Sequence, residues 1–181
     1  MSELAFTHFG REGVEVGEEL ITRLYVITHG DVIGNPFYSA DRFVERVHGY
    51  ARSPGFELVI GAVEGDPVGL ALGYSLPTNA KWWNGLTTPV DPDFIAEDGT
   101  RTFGLCEIMT HPGWQGRGIA HQVHDELLYK RPERRATLLV REENETARAA
   151  YFKWGWRQIG KLRPFPDAPH YDALVLDLAE S

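Results

Sequence analysis

One short stretch constrains the fold most, because it joins a strand pattern to an amphipathic helix through a cluster of glycines. Residues 103–111, FGLCEIMTH, predict a strand, and residues 118–129 predict a helix. Gly113, Gly116 and Gly118 lie between or at the start of these elements. Glycines at a helix start leave backbone N–H groups unobstructed by side chains, so this turn predicts an anion site, most simply for a pyrophosphate.

The elements around this turn predict an α/β protein of one domain over residues 1–181. Its central sheet is expected to be mixed, with about seven strands flanked by about four helices. Further predicted strands are 3–9, 56–63, 68–76, 135–141, 155–163 and 170–178, and further helices are 16–30, 35–51 and 144–154.

Composition excludes several classes of function. The net charge of −8 argues against nucleic acid as a partner, because binding a phosphate backbone requires a basic face. No apolar run is long enough to predict a membrane span, and no secretory signal is evident. Cys106 is the single cysteine, so neither an internal disulfide nor a multi-cysteine metal site is expected, and we predict a cytoplasmic location.

Two nucleotide-binding interpretations of the glycine turn fit poorly. A P-loop ends in Gly-Lys-Ser/Thr, whereas residues 116–119 read Gly-Arg-Gly-Ile. A dinucleotide-binding unit is harder to dismiss, because the next strand is followed by Glu142 at a plausible distance for a ribose-binding acid. That fold, however, needs more parallel strands after the turn than this chain offers.

Two motifs together resemble the GNAT superfamily of acyl-CoA-dependent N-acyltransferases. Gln115–Ala120 is similar to the family's Q/R-x-x-G-x-G/A pattern, and the preceding EIMTHPGW looks like its fourth strand. Residues 144–156 resemble a second family signature, N-x-x-A-x-x-x-Y-x-x-x-G-F, with Trp156 in the usual Phe place. The resemblance implies a GNAT-like fold and acetyl-CoA as cosubstrate.

The resemblance also implies which residues bind acetyl-CoA. The backbone of the glycine turn is expected to hold the pyrophosphate, and the edge of the fourth strand is expected to pair with the pantetheine amides. The cofactor-binding residues predicted in this way are Met109, Thr110, Gln115, Gly116, Arg117, Gly118, Ile119, Ala120 and Asn144.

Two residues are predicted to handle protons in a direct transfer from the thioester to an amine. Tyr151 lies at the family's general-acid position and would protonate the leaving thiolate. Glu107 lies where many relatives carry the acid that takes the amine's proton. Strand alternation places Leu105, Glu107 and Met109 on one face, and Cys106 on the opposite face as a core residue.

The acceptor is predicted to be a small primary amine. Candidate binding residues are Phe37, the indoles Trp82 and Trp83 in the irregular segment 77–102, and Asp172, since aromatic rings and a carboxylate suit a cation. Segment 77–102 is equally consistent with a surface insertion that covers a sheet edge. Acetylation of a protein N-terminus or lysine, a non-catalytic acyl-CoA-binding module and a homodimer stay open as alternatives.

No metal is expected. His121 and His124 lie at a spacing that can bind a metal ion, but the sequence shows no evident third ligand, so a solvated helix face is the favoured interpretation.

Overall fold

The computed structural model describes residues 2–178, which form seven β-strands and five α-helices. Single 3-10 turns at Pro36–Tyr38 and Pro112–Trp114 precede the second and fourth helices. In chain order the elements are β1 Leu4–Phe9, α1 Arg11–Thr28, α2 Ala40–Ala51, β2 Glu57–Val63, β3 Asp66–Ser75, α3 Pro92–Ile95, β4 Thr102–Thr110, α4 Ile119–Leu128, β5 Arg135–Arg141, α5 Glu145–Lys153, β6 Arg157–Leu162 and β7 Tyr171–Asp177.

The strands form one mixed sheet in the order β1-β2-β3-β4-β5-β7-β6. Neighbours are antiparallel in the pairs β1–β2, β2–β3, β5–β7 and β6–β7. Strands β4 and β5 are parallel, with pairs running from Thr102–Arg135 to Gly104–Thr137. The predicted mixed α/β sheet is therefore confirmed, including the number of its strands.

Two compact units are interleaved along the chain. The first runs to Tyr74 and resumes over Leu105–Tyr129, and the second comprises Ser75–Gly104 and the chain from Lys130 onward. The glycine turn with α4 thus belongs to the first unit. Segment 77–102 and helix α5 belong to the second.

The core of the first unit is formed by α1 and α2 packed on β2 and β3. Its rings are closely layered: Tyr25 and Phe43 stack with centroids 3.9 Å apart. Each fully buried side chain of this size contributes ~1.5–3 kcal/mol of burial free energy, which fixes both helices on the sheet. The buried members of this cluster are Val14, Ile21, Leu24, Tyr25, Phe43, Val47, Ala51, Leu58, Ile60, Leu70, Leu72 and Met109.

The bounds of two helices differ from the predicted ones. Helix α1 begins at Arg11 rather than at residue 16, because the buried Val14 extends its apolar stripe towards the N-terminus. Within the predicted helix 35–51, Ser39 caps α2 as its residue type predicts: its hydroxyl accepts the Arg42 N–H at 3.3 Å, and the residues before it form the separate 3-10 turn. Among the helices that the structure describes, none combines the length and the apolarity needed to cross a bilayer.

Segment 77–102 is held in place by a buried carboxylate. Oε1 of Glu97 accepts hydrogen bonds from the Trp83 indole and from the guanidinium of Arg135, each at 3.0 Å. The same oxygen accepts from the Thr102 hydroxyl at 3.0 Å. Helix α3, the fifth helix and one not predicted, lies within this segment, and its Phe94 carbonyl also accepts from Arg135. The segment is therefore tied to β4 and β5 of its own unit.

Candidate active site

The turn between β4 and α4 has the backbone geometry that its glycines predict. Gly116 and Gly118 adopt left-handed conformations, with φ of 76° and 75°. Gly118 is also the N-cap of α4, and a glycine offers no side chain to accept the first N–H groups of the helix. These donors, together with the positive end of the helix dipole, suit an anion.

The space beside the two left-handed glycines is open. A Cβ atom added at Gly116 would meet nothing within 4 Å, and one at Gly118 would meet only the Gln122 amide nitrogen at 3.8 Å. Behind the turn, Trp114 packs against an apolar cluster that includes Ile119, and the Arg117 guanidinium lies 4.7 Å from the Trp114 ring centroid. The turn is therefore packed against the protein on one side and accessible on the other. The accessible backbone and the nearby Arg117 guanidinium fit the pyrophosphate of an acyl-CoA.

Thr110 and Met109 end β4 just before the turn. The Thr110 hydroxyl oxygen is buried and has no hydrogen-bond partner among residues 2–178. Met109 is buried in the core of the first unit and contacts the same cluster as Cys106. Cys106 and Met109 are three positions apart, so strict alternation would place them on opposite sides of β4. Because both contact the same cluster, that predicted assignment is wrong.

Glu107 lies within β4 and is nearly buried, with 15% of its side chain exposed. Arg46 on α2 is its charged neighbour: Nη2 lies 3.9 Å from Glu107 Oε1. Burial raises the pKa of Glu107 from 4.5 to about 7, and the nearby Arg46 guanidinium opposes that rise. A carboxyl group with such a pKa can gain and lose a proton near neutral pH, as a general base must.

Arg46 is itself held by aromatic and backbone groups. Its Nη1 donates to the Phe37 carbonyl at 3.3 Å, and its guanidinium carbon lies 5.6 Å from the Phe37 ring centroid. Phe37, predicted to bind the acceptor, is buried and also contacts Arg42. The structure therefore brings Phe37 and Glu107 to the same arginine.

Tyrosines complete the surroundings of Glu107. Tyr50 and Tyr74 stack with ring centroids 5.4 Å apart, and the Tyr25 hydroxyl donates to the Tyr38 carbonyl at 3.1 Å. Burial raises the pKa of Tyr50 and of Tyr74 well above the ordinary value, so both phenols keep their protons. Sequence reasoning missed Arg46 and these tyrosines, because only tertiary packing brings α1, α2 and β3 to β4.

Cys106 is partly buried beside the same carboxylate. Burial, and then the charge of Glu107, raise the pKa of its thiol well above the ordinary value. A thiol that stays protonated is a poor nucleophile, in agreement with the prediction that Cys106 is a core residue.

Tyr151 lies on α5 in the second unit, with only 8% of the residue exposed. Its ring makes edge contacts with Trp154 and Trp156, at centroid distances of 5.5 and 6.2 Å. Asn144, predicted to bind the cofactor, caps this helix through a side-chain oxygen that accepts the Ala147 N–H at 3.2 Å. The second motif therefore builds a capped helix with a tyrosine clamped between two indoles.

The remaining predicted acceptor residues lie in the second unit and differ in their surroundings. Trp83 is buried and its indole N–H is used by Glu97, whereas the buried indole nitrogen of Trp82 has no partner in the described part of the chain. Trp82 lies against Gly104 of β4, where an added Cβ would come within 3.0 Å of its ring. Asp172 is fully buried, with Oδ2 2.6 Å from Nε of Arg148. Its charge is therefore already compensated inside the protein.

A cluster of two histidines and an aspartate on α4 includes one donor that sequence reasoning missed. Asp125 lies next to His124 and four residues after His121, and donor atoms of all three lie within 4.8 Å of one another. The i, i+4 spacing in the sequence was the signal for this third group.

Comparison with known proteins agrees with this geometry. The sequence model of the Acetyltransferase (GNAT) family matches residues 21–156, and this chain belongs to that family. It is therefore an acetyltransferase of the GNAT type, as its two motifs predict. Comparison with curated protein sequences found no match.

Solved structures show the same fold. An acetyltransferase from Thermus thermophilus aligns with a TM-score of 0.65 at 16% identity, over 98% of this chain and 100% of that one. The PaiA N-acetyltransferase from Thermoplasma acidophilum, solved in complex with coenzyme A, aligns at 0.58 and 9%, over 97% and 99%. The ribosomal-protein-S18-alanine N-acetyltransferase from Escherichia coli aligns at 0.59 and 16%, over 99% and 96%.

Proposed function

We propose that this protein is an acetyl-CoA-dependent N-acetyltransferase whose acceptor is the primary amine of a small molecule. The observation that carries the proposal is the strand–turn–helix segment 102–128. It combines an accessible anion-binding turn with a nearly buried carboxyl group, Glu107, whose pKa is raised to about 7. An acyl transfer to an amine needs both features.

The coenzyme A part of the cosubstrate is assigned to the turn and the end of β4. Backbone N–H groups of residues 115–120 hold the pyrophosphate, with Arg117 as a neighbouring cation. The edge of β4 at Met109 and Thr110 pairs with the pantetheine amides, and the Thr110 hydroxyl, which has no partner within residues 2–178, is available to the cosubstrate. Asn144 acts indirectly, by starting the helix that carries Tyr151.

The transfer itself needs two proton movements. Glu107 accepts a proton from the substrate ammonium, directly or through one water, and leaves an amine lone pair. That nitrogen attacks the thioester carbonyl; the N–C bond forms and the C–S bond breaks. The Tyr151 hydroxyl gives its proton to the departing thiolate, and the resulting phenolate takes up the proton that the attacking nitrogen loses. Glu107 then releases its proton to solvent, so both groups return to their starting states. Positioning of the two reactants contributes much of the rate.

The surroundings of Glu107 support a small, cationic acceptor. Its carboxylate, when ionised, attracts an ammonium group, and the rings of Phe37 and of the neighbouring tyrosines offer cation–π contacts. Because most of the Glu107 side chain is covered, only a slender group reaches it. Trp82 is the candidate for contacts with the rest of the acceptor.

The proposal includes a cytoplasmic location and a small-molecule partner rather than nucleic acid. The single cysteine, Cys106, forms no disulfide, which suits a reducing cytoplasm. The net charge of −8 favours cationic small molecules over nucleic acid.

A panel of free amines and short peptides, assayed by thiol release from acetyl-CoA, tests the proposal. Thiol released without an acceptor measures hydrolysis and is subtracted. We expect turnover with at least one free amine and formation of the N-acetyl product by mass spectrometry. Turnover with the peptides alone would show that the protein acetylates proteins instead. Binding of acetyl-CoA without turnover of any amine or peptide would show that it is a non-catalytic acyl-CoA-binding module.

A further inference from the structure

Helix α4 carries three potential metal donors, which follow the cosubstrate-binding residues 115–120 along the chain and include neither Glu107 nor Tyr151. His121, His124 and Asp125 lie at positions i, i+3 and i+4, a spacing that brings side chains together on a helix. Their donor atoms all lie within 4.8 Å of one another.

The aspartate lies between the two imidazoles and presents one oxygen to each. Asp125 Oδ1 is 2.7 Å from His124 Nδ1, and Oδ2 is 3.4 Å from His121 Nε2. Donors around a tetrahedral ion with bonds near 2.1 Å lie roughly 3.3 Å apart. The separations of 2.7 and 3.4 Å are close to this value, and the third lies within 4.8 Å, so side-chain rotations that bring the two imidazoles together would surround one ion.

Burial of the group is graded. His124 is buried, with 3% of its side chain exposed, whereas His121 and Asp125 are about half exposed at 46% and 61%. A buried imidazole is a fixed ligand, and the two exposed donors leave the outer side open to water as a fourth ligand. Two imidazoles and a carboxylate suit divalent transition metals such as Zn²⁺ rather than Mg²⁺ or Ca²⁺.

We propose that His121, His124 and Asp125 form a binding site for one divalent transition-metal ion, with Zn²⁺ as the probe. The ion joins the first turn of α4 to its middle, and so stabilises the start of the helix that follows the glycine turn. The site takes no part in the proton transfers assigned to Glu107 and Tyr151. Failure of the metal proposal therefore leaves the proposed acetyl transfer untouched.

Titration of the whole, tag-free protein with Zn²⁺ by isothermal calorimetry tests the site. We expect one ion per chain, with an affinity at least about tenfold weaker in both His121→Gln and Asp125→Asn, since each variant replaces a strong Zn²⁺ ligand by a weakly coordinating neutral amide. Both substitutions change exposed side chains, so circular dichroism should show an unchanged fold. Zn²⁺ should also raise the melting temperature of the wild type more than that of either variant.

Two other histidine–carboxylate groups of the same unit serve as controls. His48 contacts Glu18 at 2.6 Å, and His8 contacts Glu126 at 2.7 Å. His48→Gln and His8→Gln should retain wild-type stoichiometry and affinity. The proposal is overturned if the wild type binds no Zn²⁺, if His121→Gln and Asp125→Asn bind as the wild type does, or if the ion is lost in a control variant instead.

Discussion

At the scale of single residues, the proposed chemistry depends on the pKa of one carboxyl group, that of Glu107. Burial destabilises the ionised form of Glu107, and the Arg46 guanidinium, 3.9 Å away, partly stabilises it. The outcome is a pKa of about 7 rather than 4.5, so the group is a stronger base than an exposed glutamate. The proposed transfer would benefit from a stronger base, because its proton would come from an ammonium group of high pKa.

The first prediction concerns the pH dependence of turnover. A base must be ionised to work, so wild-type kcat/KM should fall as the pH drops through about 7. Glu107→Gln should reduce kcat/KM at pH 8 and abolish this acidic limb, with coenzyme A affinity little changed. Kinetics between pH 5.5 and 9 measure both effects.

Arg46 provides the matched variant for that experiment. Because its charge lowers the pKa of Glu107, Arg46→Met should move the acidic limb to higher pH while Arg46→Lys keeps it near the wild-type position. An acidic limb that persists unchanged in Glu107→Gln would remove the base assignment and leave only a role in binding the cation.

The second prediction concerns Tyr151. Phenylalanine keeps the ring, and with it the edge contacts to Trp154 and Trp156, so folding should be preserved. Loss of a general acid typically slows the chemical step by ~10²–10⁴-fold. We expect kcat to fall in this range with the melting temperature unchanged. A kcat within a small factor of the wild type would show that another group, or none, protonates the thiolate.

At the scale of secondary-structure elements, the third prediction concerns the start of α4. Gly118→Val places a β-branched residue at φ of 75°, which is strained, and brings a side chain to the accessible side of the turn. Coenzyme A affinity measured by calorimetry should fall by at least about tenfold. Gly34→Val is the control, because its Cβ meets nothing within 4 Å and its φ is not left-handed. Equal coenzyme A affinities for Gly118→Val and the wild type would contradict the assignment of an anion site to this turn.

The fourth prediction separates the two indoles of segment 77–102. Trp83 supports the fold through Glu97, so Trp83→Phe should lower the melting temperature with little effect on the KM of the acceptor. Trp82→Phe should raise that KM and leave acetyl-CoA affinity unchanged, since its indole N–H has no partner within residues 2–178. Identical kinetics for Trp82→Phe and the wild type would indicate that segment 77–102 has a structural role and does not bind the acceptor.

Elements were predictable from the sequence where the local pattern alone decides them. Alternation and a turn at Glu64 and Gly65, both with positive φ, define the hairpin, and Asn144 marks the start of α5 as predicted. The short helix α3 was missed because a single turn has no periodicity to detect. Alternation between Cys106 and Met109 failed because two residues three positions apart share one side only where a strand departs from its period of two, and no local pattern marks that departure.

The candidate site was predictable only in part, because local patterns do not encode contacts between residues far apart in the chain. The glycine turn and Tyr151 belong to contiguous motifs, so their place in the chain is readable directly. The tuning of Glu107 by Arg46 joins residues 61 positions apart, and no local pattern encodes that contact. Asp172 illustrates the converse: a carboxylate that looks available in the sequence is buried against Arg148.

At the scale of the whole protein, the raised pKa of Glu107 links the proposed activity to stability. Its pKa is raised in the folded state, so the folded protein binds the proton more tightly than the unfolded chain does. The stabilising contribution of the protonated group is complete below pH 4.5 and is lost as the pH rises to about 7. A shift from 4.5 to about 7 corresponds to an unfolding free energy on the order of 3 kcal/mol.

The fifth prediction follows from this linkage. Glutamine does not titrate, so the melting temperature of Glu107→Gln relative to the wild type should be several degrees more favourable at pH 8 than at pH 5. The comparison between pH values removes the constant cost of leaving Arg46 without its carboxylate. Asp98→Asn is the control: the Thr100 N–H lowers the pKa of Asp98 below 3.8, so its contribution does not change between pH 5 and 8. A difference between Glu107→Gln and the wild type that stays constant from pH 5 to 8 would mean that Glu107 keeps an ordinary acidity, and would remove the basis for its role as a base near neutral pH.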